Sequence, residues 1–305
     1  MALNNVINSV SCGSSVDVCT GLKACGMDMK RIVTLEITPK GYNYLSGSTT
    51  LAGILEEQQK EKIIILPGVL TYTDNSADPT IVTRDGSGQK IIVGEIAQEF
   101  QVTFDNGINF WKELRKLNSQ GLYNLALYDV DGTKFFTQKK NGDVQGFGLN
   151  MLFTKNYKGS DGTVASEEMM MFQYKSVSDS DNIAWVAGAD LDFDSTDLTG
   201  INCVDFEILP VLSGATSLTF AALLSDKTSY FEGLTIPNIK VTKNGGAIVP
   251  SAISGDAATK TYTITIPAVV GGDVYTVQTW DSVLSTRAIN ITNSLYKSDI
   301  ATVTV

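Results

Sequence analysis

A chain of 305 residues with 43% hydrophobic side chains carries enough apolar mass for two ordinary cores without disulfides or metals. Its net charge of -10, concentrated in the first two hundred residues and accompanied by no block of Lys and Arg, argues against a clamp on phosphate backbones. The sequence contains no His, which excludes Ser-His-Asp and Cys-His nucleophiles and the His-bearing zinc sites.

In chain order, the opening MALNNVINSVSCGSS lacks the basic n-region, apolar core and cleavage site of a signal peptide. No stretch approaches the roughly 18 uninterrupted apolar residues of a membrane span. The expectation is a product made and used in a cytoplasm, away from membranes. Cys12, Cys19 and Cys25 show no C-x-x-C spacing and Cys203 is remote, so unpaired or buried thiols are expected rather than zinc ligands.

KRIVTLEI (30–37) and KIIIL (62–66) read as strands. Between them, STTLAGILEEQQKEK has helical periodicity, with Thr50 as N-cap and Ile54 and Leu55 on one face. The stretch YTDNSADPTIVTRDGSGQ (72–89) is too long and too polar for an ordinary loop. KIIVGEIAQEFQVTF (90–104) reads as one strand whose second half alternates, with Ile96, Phe100, Val102 and Phe104 on one face and Glu95, Ala97, Glu99, Gln101 and Thr103 on the other. The first set is the expected core face and the second a wet, acidic one.

A second helix is predicted over 108–119. Phe110, Trp111, Leu114 and Leu117 form its apolar stripe, Asp105 or Asn106 its N-cap, and Gly121 its C-terminal stop. The stripe is expected to pack on the sheet, leaving the other sheet face solvated. LYNLALY, TKFFTQ, VQGFGLNMLFTK and EEMMMFQYK follow as an antiparallel meander, with Asp131-Gly132 and Asn141-Gly142 as tight turns. The glycines of GFGLN (146–150) mark a bend or close packing, and Met169 to Met171 belong to a buried strand rather than an adaptable interface.

From 176 to 200 the sequence turns rich in Ser, Asp and Gly, and the domain boundary is placed near Gly200. Within it, Asp190, Asp192 and Asp194 alternate as calcium ligands would, but Ser195 and Ile201 stand where a calcium loop has Gly and Glu, so the linker reading prevails. No metal or other cofactor is therefore expected. Residues 201–305 hold about seven short alternating strands, the pattern of an immunoglobulin-like sandwich. The fold class read from the whole sequence is mainly β: an antiparallel sandwich or barrel with short flanking helices over 1–200, then the immunoglobulin-like sandwich over 201–305. The carboxylate pairs Glu95/Glu99 and Glu167/Glu168 are the nearest approach to a glycosidase's two acids, and no enzyme is expected.

The order of strand 90–104, helix 108–119, hairpin 122–138, long strand 144–154 and closing strand 168–176 resembles the tail tube (major tail) protein family of tailed bacteriophages, in which such a domain builds stacked rings around a DNA channel. The C-terminal sandwich is similar to a common decoration of such tubes. The resemblance implies a virion protein, assembled in the host bacterial cytoplasm, whose partners are copies of itself in stacked or closed hexameric rings and other tail or virion proteins, with DNA only as transiting cargo. It implies that Glu95, Glu99, Gln101 and Thr103 line the channel, whose acidic wall would repel phosphates, and that 72–89 is an arm reaching a neighbouring ring. A ring, neck, terminator or head-decorating protein is the alternative within the virion. A carbohydrate-binding adhesion module, with aromatics around Trp280 and Tyr275, is the alternative outside that class.

Overall fold

The computed structural model describes residues 8–9, 29–44, 49–78, 80–83, 89–94, 97–139, 141–160, 166–175 and 182–305. Cys12, Cys19, Cys25, Glu95 and Ile96 lie outside these residues. The protein is mainly β and divides into two compact units, one of Met1–Ile54 with Lys62–Leu198 and one of Leu55–Glu61 with Thr199–Val305.

In the first unit the elements are β1 (Asn8–Ser9), β2 (Ile32–Pro39), α1 (Leu51–Gln59, continuing into the second unit), β3 (Ile64–Pro67), β4 (Thr71–Asp74), β5 (Thr80–Thr83), β6 (Lys90–Gly94), β7 (Glu99–Phe104), α2 (Ile108–Lys116), β8 (Ser119–Gln120), β9 (Tyr123–Asp129), β10 (Lys134–Gln138), β11 (Val144–Gln145), β12 (Phe147–Thr154), β13 (Glu168–Tyr174) and β14 (Ile183–Val186). All but β5 and β6 join one twelve-stranded sheet that curls into a half-barrel. Strand β9 is its hub. One border of β9 pairs along its length with β2, which in turn carries β3. The other border forks: Leu127 and Tyr128 pair with β10, whereas Asn124 and Leu125 pair with β12.

Two wings leave the fork. One runs β10, β14, β1, with β11 beside β10; the other runs β12, β13, β7, β4, with β8 beside β12. Gly146 sits between β11 and β12 at the split, where a Cβ would lie 2.8 Å from the Leu125 backbone. Only glycine lets the backbones approach that closely.

The main core lies on one face of this sheet, where Leu35, Ile37, Leu125, Leu127, Phe135, Phe147, Val102, Phe104 and Phe172 are buried together. The opposite face is not solvated throughout, which corrects the expectation from the alternating pattern. Over β2, β9 and β10 it is covered by a second layer in which Tyr44, Phe136, Ala184 and Val186 form one cluster, and Ile54, Ile65, Tyr128, Phe193 and Leu198 another. Burial on both faces explains why Asn124 to Asp129 are all inaccessible.

The long strand read over 90–104 is two strands. β7 belongs to the large sheet, whereas among the described residues β6 pairs with β5 alone, in a separate two-stranded ribbon. The apolar run of β6 lacks the period-2 alternation that β7 keeps through Phe100, Val102 and Phe104, and the two halves accordingly pair with different partners. The stretch 72–89 likewise contributes β4 to the sheet border and β5 to the ribbon.

The second unit is a sandwich of two sheets. Its strands are β15 (Asn202–Ile208), β16 (Ser217–Leu224), β17 (Ile239–Lys243), β18 (Gly246–Ile248), β19 (Ala252–Asp256), β20 (Thr261–Thr265), β21 (Val274–Thr279), β22 (Ile289–Ile291), β23 (Ser294–Ser298) and β24 (Ala301–Thr304). One sheet is ordered β19-β20-β16-β15-β23-β22 and the other β18-β17-β21-β24. Phe206, Leu218, Phe220 and Ile264 of the first meet Val241, Tyr275 and Val277 of the second in one core. All pairings in this unit are antiparallel except β15 with β23.

Candidate functional site

Helix α2 forms because its apolar residues recur at helical spacing and its last turn carries Arg115 and Lys116, which suit the negative end of the helix dipole. Leu114 is buried at 1% exposure, and Phe110 and Leu117 pack half-buried against the same core. The Phe110 ring meets Phe104 edge-on at 5.2 Å. Trp111 is half-buried; its Nε1 donates to the Lys155 carbonyl at 2.8 Å and its ring lies 5.9 Å from Tyr157.

The N-terminus of α2 differs from the reading of the sequence. The capping residue is Gly107, without a side-chain cap, and neither Asp105 nor Asn106 fills the role. The backbone amides of Asn106 and Gly107 instead donate to the two carboxylate oxygens of Glu168, at 2.9 and 3.1 Å. Glu168 is fully buried and lies on β13, so the cap is supplied by a distant strand. This use of Glu168 also removes the Glu167/Glu168 pair as a catalytic couple. Gly121, with φ +65, sits in the turn between β8 and β9 and not at the helix end, which is Leu117. At α1, by contrast, the Gly53 amide donates to Thr50 Oγ1 at 3.2 Å, as a capping threonine requires.

The face of β7 opposite the core carries the expected channel residues. Glu99 and Gln101 are half-buried, whereas Thr103 is buried at 6% exposure. Thr103 is thus a correction to the expected wet face: its hydroxyl pairs with that of Thr71 across the strands at 2.6 Å. Gln101 accepts from Lys155 Nζ at 2.5 Å. Beside them in register lie Met169 and Met171 of β13, half-buried, and Phe153 of β12, 47% exposed. The Met169 to Met171 run is therefore divided, with Met170 in the core and its neighbours on the outer face.

Strand β4 ends this wing, and among the described residues no strand pairs with its outer border. The chain leaves β4 for the β5–β6 ribbon and returns to β7, and Ile81 on that ribbon is 57% exposed.

The acidic stretch after β14 accepts hydrogen bonds from backbone amides of its own loop and of α1. Asp192 accepts from the Leu51 amide at 2.7 Å, at the start of α1. Asp194 accepts from the Thr196 amide at 3.1 Å, a bond that holds its carboxyl below the usual range, and Asp197 accepts from the Asp194 amide at 2.9 Å. A cavity of about 340 Å³ opens beside them, also lined by Asp131 and Gly132. Among the described residues no three acids, thiols or imidazoles converge as metal ligands, and Asp190 closes a short helical turn at Gly188–Asp190.

On the sandwich, Tyr275 is buried at 1% exposure and belongs to the core, so it offers no ring to a glycan. Trp280 is half-buried with the Lys240 ammonium 4.2 Å above its ring.

Deep in the first unit a polar cluster escaped sequence reading. Glu36 of β2, fully buried, accepts from Lys134 Nζ of β10 at 3.0 and 2.8 Å and from the Tyr128 hydroxyl of β9 at 2.6 Å. The Lys134 ammonium also stands 4.0 Å over the Tyr44 ring. Burial pushes the Lys134 pKa down and lifts those of Tyr44 and Tyr128 well above the ordinary phenol value, with Glu36 adding to the phenol shifts. The alternation of TLEIT within β2 was the available signal, since it places Glu36 on the face opposite Leu35 and Ile37.

Compared with known proteins, the sequence matches no family model and no curated relative.

Proposed function

We propose that the chain is a structural virion protein that polymerises into stacked or closed rings in the tail of a tailed bacteriophage, forming a conduit for DNA. The observation that carries this reading is the border of the first unit, where among the described residues no strand pairs with the outer edge of β4 and the adjoining β5–β6 ribbon pairs with no other strand. An open strand edge is a template for another strand, and copies of the same chain are the partners always present at matching concentration. The ribbon serves as the arm that reaches a neighbouring ring. Glu99 is the acidic side chain among the described residues offered to the channel wall; the half-buried methionines and exposed Phe153 on the same face suit contact with a neighbouring copy.

The adhesion-module reading loses its two-ring platform with the burial of Tyr275. Negative-stain microscopy of the purified protein is expected to show rings or tubes. A variant in which 80–94 is replaced by a short Gly-Ser linker is expected to keep its β-sheet circular dichroism while remaining monomeric. Normal tubes from that variant, or a parent protein that stays monomeric at every concentration, would refute the proposal.

A further inference from the structure

The fork in the large sheet leaves a cavity of about 260 Å³ where β10 and β11 part from β12. Its chemistry is one-sided. Lys40, Lys139 and Lys175 rim it, no acidic side chain lines it, and these ammonium groups make no ion pair or hydrogen bond with the described residues. Asn124 and Gln145, 4% and 7% exposed, are also among the lining residues.

An amide side chain at a cavity wall has two N–H donors to offer a bound oxyanion. Three cations gathered at one cavity of a chain whose net charge is -10 repel one another and favour an anion between them. Gly146 lines the site as well, at the point where its backbone packs too closely on Leu125 for any larger residue.

From this arrangement we infer that the cavity at the sheet fork binds a small, multiply charged oxyanion of the phosphate type, held by Lys40, Lys139 and Lys175 and oriented by the amides of Asn124 and Gln145. Lysine supplies charge without fixed geometry, and the amide N–H groups supply direction. The volume takes a phosphate group with a small organic substituent, not a folded partner. This inference is independent of the assembly proposed above.

The test is isothermal titration calorimetry on the full chain with inorganic phosphate and with pyrophosphate, alongside thermal unfolding in either salt against chloride at equal ionic strength. One saturable site and a rise in Tm beyond that in chloride are expected, since a ligand that binds only the folded chain stabilises it. Each of Lys40→Gln, Lys139→Gln and Lys175→Gln is expected to weaken binding about tenfold or more, the loss typical of a charge-assisted bond. Their unliganded Tm stays at the parental value because all three side chains are exposed. Gln145→Leu, which fills the space with an apolar group, weakens binding without altering the net charge. Absence of saturation with either anion, or equal binding by the triple Lys→Gln variant, would overturn the assignment. So would binding restricted to oligonucleotides, which would point to an extended polyanion surface in place of a pocket.

Discussion

At the scale of single residues, the cluster of Glu36, Lys134, Tyr128 and Tyr44 has the largest energetic consequence. Replacing Lys134 by Met leaves the Glu36 carboxylate buried and uncompensated, and is expected to destabilise the chain by about 3–5 kcal/mol in denaturant unfolding. The double variant with Glu36→Gln should recover part of that loss. The same burial sets an alkaline response. Tyr44 and Tyr128 keep their protons in the folded state above their ordinary value of 10.0, so the folded chain holds more protons than the unfolded one there. Their contribution is complete below pH 10 and is lost as pH rises toward the folded pKa. Lys134, whose pKa is lowered, acts in the opposite direction: the cost of burying its charge is relieved as pH climbs to its ordinary value of 10.5. Ultraviolet titration of phenolate should show these two tyrosines ionising only when the circular dichroism of the fold is lost; gradual ionisation with intact structure would contradict this. The polar half of the cluster was hidden in the sequence. Glu36, Tyr128 and Lys134 come from three strands, and only the pairing of β2 and β10 on opposite borders of β9 brings them together.

At the scale of elements, local patterning explains the strongly periodic segments and fails where partners are remote. The stripe of α2 and the Asp131-Gly132 and Asn141-Gly142 turns were legible because each depends on residues within one turn or one hairpin, and both glycines adopt positive φ. The cap of α2 was not, because Glu168 reaches it across 62 positions of chain. Glu168→Gln keeps the shape of the side chain but removes its charge, and is expected to cost about 1.5–3 kcal/mol, the range for hydrogen bonds to a charged group. Hydrogen exchange of the α2 amides should accelerate more than that of β9; uniform acceleration would mean that Glu168 supports the unit at large. Short strands escaped for a related reason. GAI in β18, AISGD in β19 and SLYKS in β23 carry too few alternating apolar residues to declare themselves, and are held as strands by their neighbours β17, β20 and β15. Thr292 and Asn293, both at positive φ, close the tight turn from β22 to β23, a conformation that a Thr-Asn pair does not announce as Asn-Gly would.

At the scale of the whole molecule, composition was read correctly for fold class, but charge was averaged too widely. A net charge of -10 without a Lys or Arg block argues against a clamp on phosphate backbones and says nothing of small sites, and folding gathers Lys40, Lys139 and Lys175, separated by scores of residues, around the split in the sheet. Likewise the alternation of 90–104 suggested a single bare face, whereas the second layer over β2, β9 and β10 comes from segments around Tyr44, Ile54 and Phe193 whose destination no local pattern reveals. In the sandwich, the parallel pairing of β15 with β23 has a mechanical meaning. Asn202, Cys203 and Val204 lie in register with Tyr296, Lys297 and Ser298, so a load applied between the beginning of β15 and the end of β23 runs along the pair. Tension between these two points drags neighbouring strands past each other, so their cross-links bear load together as a clasp in shear and do not open one at a time like a zip.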